Sequence, residues 1–559
     1  MNEFWWKKSV VYQIYPKSFK DTTGNGTGDL QGIIEKLDYI KNLGVDVIWI
    51  TPIYESPQKD NGYDISDYYK IDPQYGSIDT FERLLTQAHA RGLKIILDMV
   101  VNHTSIDHAW FKKSSQSKDS PYRDFYIWKD GKDNMYPNNW KSKFGGSAWE
   151  YDENSKQYYL HLFDVTQADL NWENQELRKS IYDMMEFWLS KGVDGFRLDV
   201  INLLSKDQAF PNDTLNTPIE DGRKFYTDGP KIHTFLKKLN ENVFSKYKNI
   251  LTVGEMSSTS IDNCVKYTNP NEKELNMSFS FHHLKVDYPS GEKWELGKFD
   301  FIKLKKILTE WQYGMIKGNG WNALFWCNHD QPRVVSRFGN DKEYHDESAK
   351  MLATTLHLLQ GTPYIYQGEE IGMTNPNFDK LQDYRDVESL NIYDILKAKG
   401  KSDKEIMDIL KQKSRDNSRT PMQWDTSKNA GFTEGTPWIN VSNNFSYINA
   451  SSALKNKNSI FYYYKKLIRL RKDYDIIAYG DFEIILDNDP QIFAYIRRYN
   501  NEKLLVVNNF YAEFATFVLP SDVILEGESK ILISNYADTK NNINELLLRP
   551  YESSVFYIK

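Results

Sequence analysis

The residues of this chain that could do chemistry are mostly carboxylates, and they recur at one kind of place. Asp98-Met99-Val100-Val101-Asn102-His103, Gly195-Phe196-Arg197-Leu198-Asp199-Val200, Val253-Gly254-Glu255, Asn328-His329-Asp330 and Gln367-Gly368-Glu369-Glu370 each complete or follow a short apolar run. Several carboxylates on one rim point to acid/base chemistry. Glycosidic cleavage needs two: one ionised, to attack or stabilise the anomeric carbon, and one protonated, to donate to the leaving oxygen. Arg197 and Asp199 stand two apart on an extended run and share a face, where a guanidinium would hold Asp199 ionised. Glu255 ends an apolar run, where partial desolvation and neighbouring carboxylates would raise its pKa.

Eight short runs must position these groups: Val10–Tyr15, Val45–Ile50, Lys94–Val101, Val193–Val200, Ile250–Glu255, Asn276–Phe281, Asn322–Trp326 and Thr362–Tyr366. Their near-continuous hydrophobicity suits strands buried on both faces. Helix-like stretches lie between them, among them Gln31–Leu43, Thr80–Arg91, Glu176–Lys191, Lys231–Tyr247, Phe301–Met315 and Asp346–Leu359. Repeated βα units imply a parallel sheet, and eight imply an α/β fold of the (β/α)8 TIM-barrel class, with its active site at the C-terminal strand ends. The catalytic barrel is expected over 1–104 and 175–474. An inserted domain rich in Trp, Tyr, Asp, Asn and Gly follows strand three at 105–174. A second insertion after strand eight, at 375–449, holds the charged helix-like segment Ile392–Lys413. Alternating strands from Phe482 to Ile558 read as a C-terminal antiparallel β-sandwich, 475–559.

Composition removes other classes. The 559 residues carry 70 basic and 77 acidic side chains, a net −7, against a nucleic-acid or anionic-membrane surface. Two cysteines exclude a disulfide framework, and no C-x-x-C suggests a zinc ribbon. Met1–Lys8 lacks the apolar core of a signal peptide, and no run of apolar residues is long enough to span a bilayer. A cytoplasmic protein is the simplest expectation. The sequence carries no signal for oligomeric state.

The motifs ending strands three, four, five and seven resemble, in order and spacing, the signature regions of the α-amylase family, glycoside hydrolase family 13. The likeness runs along the whole chain, including the inserted and C-terminal domains. It implies a retaining enzyme with Asp199 as nucleophile, Glu255 as acid/base and Asp330 as transition-state stabiliser. It implies that Asp60, Tyr63, His103, Arg197, His329 and Arg415 hold the terminal glucosyl ring in a pocket, with Phe144 and Phe163 facing it and exo action following. No cofactor is implied for the chemistry. Gln167-Ala168-Asp169-Leu170-Asn171 resembles the oligo-1,6-glucosidase branch, and Val200 resembles enzymes that avoid α-1,4 links. Noncatalytic family members have lost catalytic carboxylates and carry a membrane span; neither holds here.

Within that branch, Lys59–Asp64, Phe225–Pro230 and Phe281–Pro289 resemble members that cleave α,α-trehalose 6-phosphate, which implies a phosphorylated disaccharide as substrate. The alternative is an oligo-1,6-glucosidase or dextran glucosidase. His282, His283, Lys285 and Lys293 follow strand six, where neutral-sugar enzymes tend to carry acidic residues, and such a cluster would suit a phosphate. A last motif, Asp21-Thr22-Thr23-Gly24-Asn25-Gly26-Thr27-Gly28-Asp29, places oxygens at alternate positions, as Ca²⁺ loops do, with Asp21, Thr23, Asn25, Thr27 and Asp29 as the ligand set. Gly32 rules out an EF-hand. The loop resembles the calcium loop of oligo-1,6-glucosidases, but Thr23 and Asn25 stand where those relatives often have Asn and Asp. A metal-free turn braced by Asp21 and Asp29 is the competing expectation.

Overall fold

The computed structural model describes residues 4–132, 135–214 and 221–559; the first three residues of the N-terminal run lie outside these. Eight parallel strands close a barrel: β1 (Val11–Ile14), β2 (Val47–Ile50), β3 (Lys94–Met99), β4 (Gly195–Leu198), β5 (Leu251–Met256), β6 (Met277–Ser280), β7 (Asn322–Leu324) and β8 (Thr362–Tyr366). Each pairs with its sequence neighbours, and β1 closes on β8 in the register Val11↔Tyr364. All eight apolar runs thus become barrel strands. Almost every strand residue is buried, because one pleat face packs inside the barrel and the other against helices.

The surrounding helices follow local rules. Leu30–Leu43 starts where Asp29 accepts from the Gly32 N–H at 2.7 Å and stops at Gly44, whose φ of 105° suits glycine. Gln175–Ser190 is capped by Asn174 and turns Leu177, Ile181, Met184 and Trp188 inward at helical spacing. The Ile392–Lys413 segment forms two helices instead of one, Val387–Ala398 and Asp403–Lys413. Gly400, at φ 87°, breaks the first, and Ser402 with Glu405 forms a capping box that starts the second.

Between β3 and β4 lie a helix, Ala109–Gln116, and a three-stranded antiparallel sheet in the order Trp128–Lys129, Gln157–Leu160, Trp149–Asp152. Trp140 and Trp149 of this segment form an aromatic cluster with Phe210, which follows β4. The cluster also takes in Val200 and Leu203, so it packs onto the turn after β4. After the barrel, a five-stranded and a two-stranded antiparallel sheet enclose a second core that includes Ile496, Phe517, Leu546 and Phe556. Glu545–Leu548 is a strand that the sequence pattern does not flag. It pairs with Ala515–Val518.

Candidate active site

The C-terminal strand ends open into a cavity of about 250 Å³, and Asp199, Glu255 and Asp330 all line it. Arg197 lies beneath them, 1% exposed. Its Nη1 donates to Asp98 at 2.8 and 3.0 Å and to Asp199 at 2.7 Å, and its Nη2 donates to Glu255 Oε2. Asp98 also accepts from Tyr63 Oη at 2.9 Å and Trp49 Nε1 at 3.2 Å, which fixes it under the guanidinium. One arginine therefore serves three carboxylates, so each receives only part of its charge.

Burial decides the protonation that results. Desolvation pushes Glu255 up to about 8, against Arg197 and with the help of the charges on Asp199 and Asp330. It pushes Asp199 up to about 6, with Arg197 pulling the other way. Asp330 is 25% exposed, and against its partial desolvation His329, Arg415, Arg419 and Arg197 together hold it well below the usual carboxylate range. At neutral pH this leaves Asp199 and Asp330 ionised and Glu255 protonated. Arg197 thus supports an ionised Asp199, though burial outweighs it in setting the pKa. Val200 adds a detail the sequence hides. It sits at φ 34°, ψ 42°, a left-handed conformation that is an outlier for a β-branched residue, and its N–H donates to Glu255 Oε2 at 3.2 Å.

The remaining sugar-binding candidates gather around these groups. Asp60, Tyr63, His103, Phe144, Phe163 and Arg415 line the cavity. Arg415 donates to Asp60 at 3.0 Å and to Asp386, and its guanidinium stands 4.8 Å from the Phe144 ring centre. Phe163 packs 5.7 Å from Phe144 and 5.1 Å from His103. His329 is fully buried and stacks on Tyr63, with ring centres 5.1 Å apart and planes 2° apart. Gln13 Nε2 lies 2.8 Å from His329 Nδ1, and with Gln13 as donor the histidine proton sits on Nε2, 3.2 Å from Asp330. The cavity thus combines a few convergent polar groups with the rings of Tyr63, Phe144 and Phe163, a lining suited to a small polar ligand with an apolar face.

Comparison with known proteins places this geometry. Residues 13–480 match the model of the α-amylase catalytic domain, and 492–555 match that of the SusG α-amylase C-terminal domain. The chain belongs to the α-amylase family. It is 64% identical to the trehalose-6-phosphate hydrolase of Bacillus subtilis (strain 168), over 99% of this chain and 98% of that protein. It is 53% identical to the oligo-1,6-glucosidase of Bacillus cereus over the full length of both. The crystal structure of Bacillus licheniformis trehalose-6-phosphate hydrolase superposes with a TM-score of 0.95 at 63% identity, covering 99% of this chain and 100% of that one.

The cationic side of this α-amylase-family pocket differs from the sequence expectation. Lys285 and Lys293 line the cavity, but His282 and His283 do not. His283 is buried, with Nε2 2.8 Å from the Phe325 carbonyl, and His282 packs on Trp311 with Nδ1 3.0 Å from Ser280 Oγ. Burial holds both near 4, so they are neutral at pH 7 and are withdrawn as anion ligands. The four residues His282–Lys285 form a 3₁₀ turn, which points successive side chains in different directions. Sequence reading missed Lys143, from the segment inserted between β3 and β4. It lines the cavity and donates to Ser257 Oγ at 3.0 Å. Burial drops Lys143 to about 8, and Arg223 and Lys285 add repulsion; burial and Arg223 lower Lys285 as well. Glu388, also missed, accepts from Lys293 at 2.6 Å. The neighbours of Lys143, Trp140-Lys141-Ser142 before it and Phe144 after it, were the only signal available in the sequence.

The Asp21–Asp29 loop closes on itself. Asp21 accepts from the N–H groups of Thr23, Gly24 and Gly26 at 2.8, 2.9 and 2.8 Å and from Thr433 Oγ1 at 2.5 Å. Asp29 accepts from the N–H groups of Thr22 and Gly32, and Asn25 Oδ1 accepts from the Thr27 N–H. Among the described residues, no three His, Cys, Asp or Glu side chains converge as metal ligands. The Asp21 and Asp29 carboxylates are thus held by N–H and hydroxyl donors, which brace the turn from within.

Proposed function

We propose that the chain is a retaining exo-α-glucosidase that hydrolyses α,α-trehalose 6-phosphate to glucose and glucose 6-phosphate. The observation that carries this reading is the meeting of two opposite charge sets in one cavity: Asp199, Glu255 and Asp330 with Lys143, Lys285 and Lys293. The unphosphorylated ring stacks among Tyr63, Phe144 and Phe163. Its C1 then meets Asp199, and the phosphorylated ring extends toward the lysines. Lys143 and Lys285 repel each other and Arg223, and a phosphate dianion removes that cost while gaining charge-assisted hydrogen bonds.

The chemistry follows from the protonation states. Asp199 attacks C1 as Glu255 gives its proton to the bridging oxygen; the C1–O bond breaks and glucose 6-phosphate leaves. Glu255, now a carboxylate, takes a proton from water, whose oxygen attacks C1 and frees Asp199. Asp330 stays ionised throughout and offsets positive charge developing on the ring. Glu255 has its proton at neutral pH because burial raises its pKa, and Arg197 spans both carboxyls so neither moves far between steps.

A phosphorylated disaccharide as substrate goes with a cytoplasmic location. No helix of the described residues is long and apolar enough to cross a membrane, and Cys264 and Cys327 are free and buried. One observation favours a second reading, an oligo-1,6-glucosidase. Glu388 neutralises Lys293 and offers the cavity a carboxylate suited to a sugar hydroxyl. Rates on trehalose 6-phosphate, trehalose and isomaltose separate the two. A kcat/KM for trehalose 6-phosphate well above both others supports the proposal, and a preference for isomaltose overturns it.

A further inference from the structure

Beside the catalytic cavity lies a buried ion cluster with no part in the steps above. Asp287 stands two residues beyond Lys285. Arg337, on the short helix Val334–Phe338 that follows β7, forks onto both Asp287 oxygens at 2.9 and 2.8 Å. Its Nη2 also donates to the Leu284 carbonyl, and its Nη1 donates to Gln331 Oε1 at 2.8 Å. Lys413 ends the helix Asp403–Lys413, which belongs to the insertion after β8. It reaches Asp287 Oδ2 at 2.8 Å and the Asp287 carbonyl at 3.0 Å. The Asp287, Arg337 and Lys413 side chains are 9%, 4% and 2% exposed. Tyr288, which lines the catalytic cavity, lies under both cations, 5.0 Å from Lys413 Nζ and 5.9 Å from the Arg337 guanidinium.

We infer that Asp287, Arg337 and Lys413 are positioning residues that set the preference for phosphorylated over neutral substrates, by fixing the turn that carries Lys285. The inference rests on the reading of Lys285 as a phosphate ligand. Three connections, after β6, β7 and β8, meet on one carboxylate, and the two residues nearest it along the chain on the cavity side are Lys285 and Tyr288. A lysine has a long, flexible stem that loses considerable rotamer freedom when it holds a ligand. Lys285 is also pushed by Lys143 and Arg223, so an unanchored turn would relax away from them. The bidentate arginine on Asp287, with its third bond to Leu284, holds the backbone on both sides of Lys285 against that push. Asp199 directly follows β4 and Glu255 stands on β5, and neither hydrogen-bonds to this turn.

The test uses Lys413→Met, which keeps the apolar stem and leaves Asp287 paired with Arg337. KM for trehalose 6-phosphate should rise about 3–10-fold, the scale of a misplaced binding group. The kcat on that substrate and the kcat/KM for p-nitrophenyl α-glucoside should stay within about twofold, since Lys413 touches neither Asp199 nor Glu255. Lys413→Arg restores a donor and should recover the wild-type KM. In a Lys285→Ala background, Lys413→Met should raise KM no further. Should Lys413→Met fail to fold, Arg337→Lys reads the same quantity, since it keeps the charge and loses the fork. Equal losses on both substrates, an unchanged KM, or an additive effect in the Lys285→Ala background overturns the inference. Failure of the underlying reading is seen separately, in wild-type enzyme that does not favour trehalose 6-phosphate.

Discussion

Lys285→Ala probes the proposed specificity most directly. The ammonium is half-buried at the cavity, and no carboxylate among the described residues pairs with it. A bare Coulomb figure for one charge pair at contact is about 4 kcal/mol at an effective dielectric of 20, an upper bound for a site open to water. Hydrogen bonds to charged groups contribute about 1.5–3 kcal/mol net. Because 1.4 kcal/mol is tenfold, kcat/KM for trehalose 6-phosphate should fall roughly 10–150-fold. The loss should lie mainly in KM, since the phosphate is remote from the bond that breaks. Hydrolysis of p-nitrophenyl α-glucoside, which carries no phosphate, should stay within about twofold. Lys293→Ala should cost less, because Glu388 already holds that ammonium at 2.6 Å. The assay is initial-rate kinetics on both substrates for both variants, with the inhibition constant of glucose 6-phosphate as a second readout. Raising salt from low ionic strength should erode the wild-type preference, as the Debye length shortens to about 3 Å at 1 M. Equal losses on the charged and neutral substrates, or a larger loss from Lys293→Ala than from Lys285→Ala, would refute the reasoning.

The pH dependence of kcat/KM should be bell-shaped. The rising limb near pH 6 reports loss of the Asp199 proton, and the falling limb near pH 8 reports loss of the Glu255 proton. A rate still climbing well above pH 8 would contradict that assignment. Glu255→Gln should slow trehalose 6-phosphate hydrolysis about 10²–10⁴-fold, yet spare glycosyl-enzyme formation from p-nitrophenyl α-glucoside, whose leaving group departs without a proton. A pre-steady-state burst of nitrophenol is the check. Asp199→Asn should abolish turnover of both substrates, and retained steady-state activity would remove Asp199 as nucleophile. Chelator should leave the melting temperature unchanged, because Asp21 and Asp29 are already held by N–H donors; a clear drop on chelation would restore a metal to the loop.

The barrel was legible because its strands are buried on both faces. Such strands read as unbroken apolar runs, and all eight do. The carboxylates that line the cavity were legible for a related reason: a polar residue ending such a run has no place but the rim. What failed was whatever depends on side-chain direction or on distant chain. The His282-His283-x-Lys285 cluster is basic by composition, yet a tight turn sends the histidines into the packing and only Lys285 to the cavity. Lys143 reaches the cavity from a segment inserted between two strands, and no local spacing announces that. The break at Gly400 was different. Ser402 and Glu405 carry a capping signal at the right separation, and the periodic charge around them concealed it.

Burial is the common physical cause in this site, and it acts against one of the two groups proposed to do the chemistry. Removing water raises Glu255 as an acid requires, but raises Asp199 toward the same state, where it could not attack. The fold separates the two with position, not with a second cation. Arg197 contacts both, but Asp199 and Glu255 also interact with each other, which raises Glu255 and lowers Asp199, so the proton shared between the carboxyls rests on the glutamic acid. Asp330 is spared by a different route, since His329, Arg415 and Arg419 surround it. The net −7 of the chain therefore says little about the substrate. Inside the cavity the balance is set by a few buried or half-buried arginines and lysines, and among the described residues each of them has a carboxylate to hold except Lys143 and Lys285. An anion is the partner those two lack.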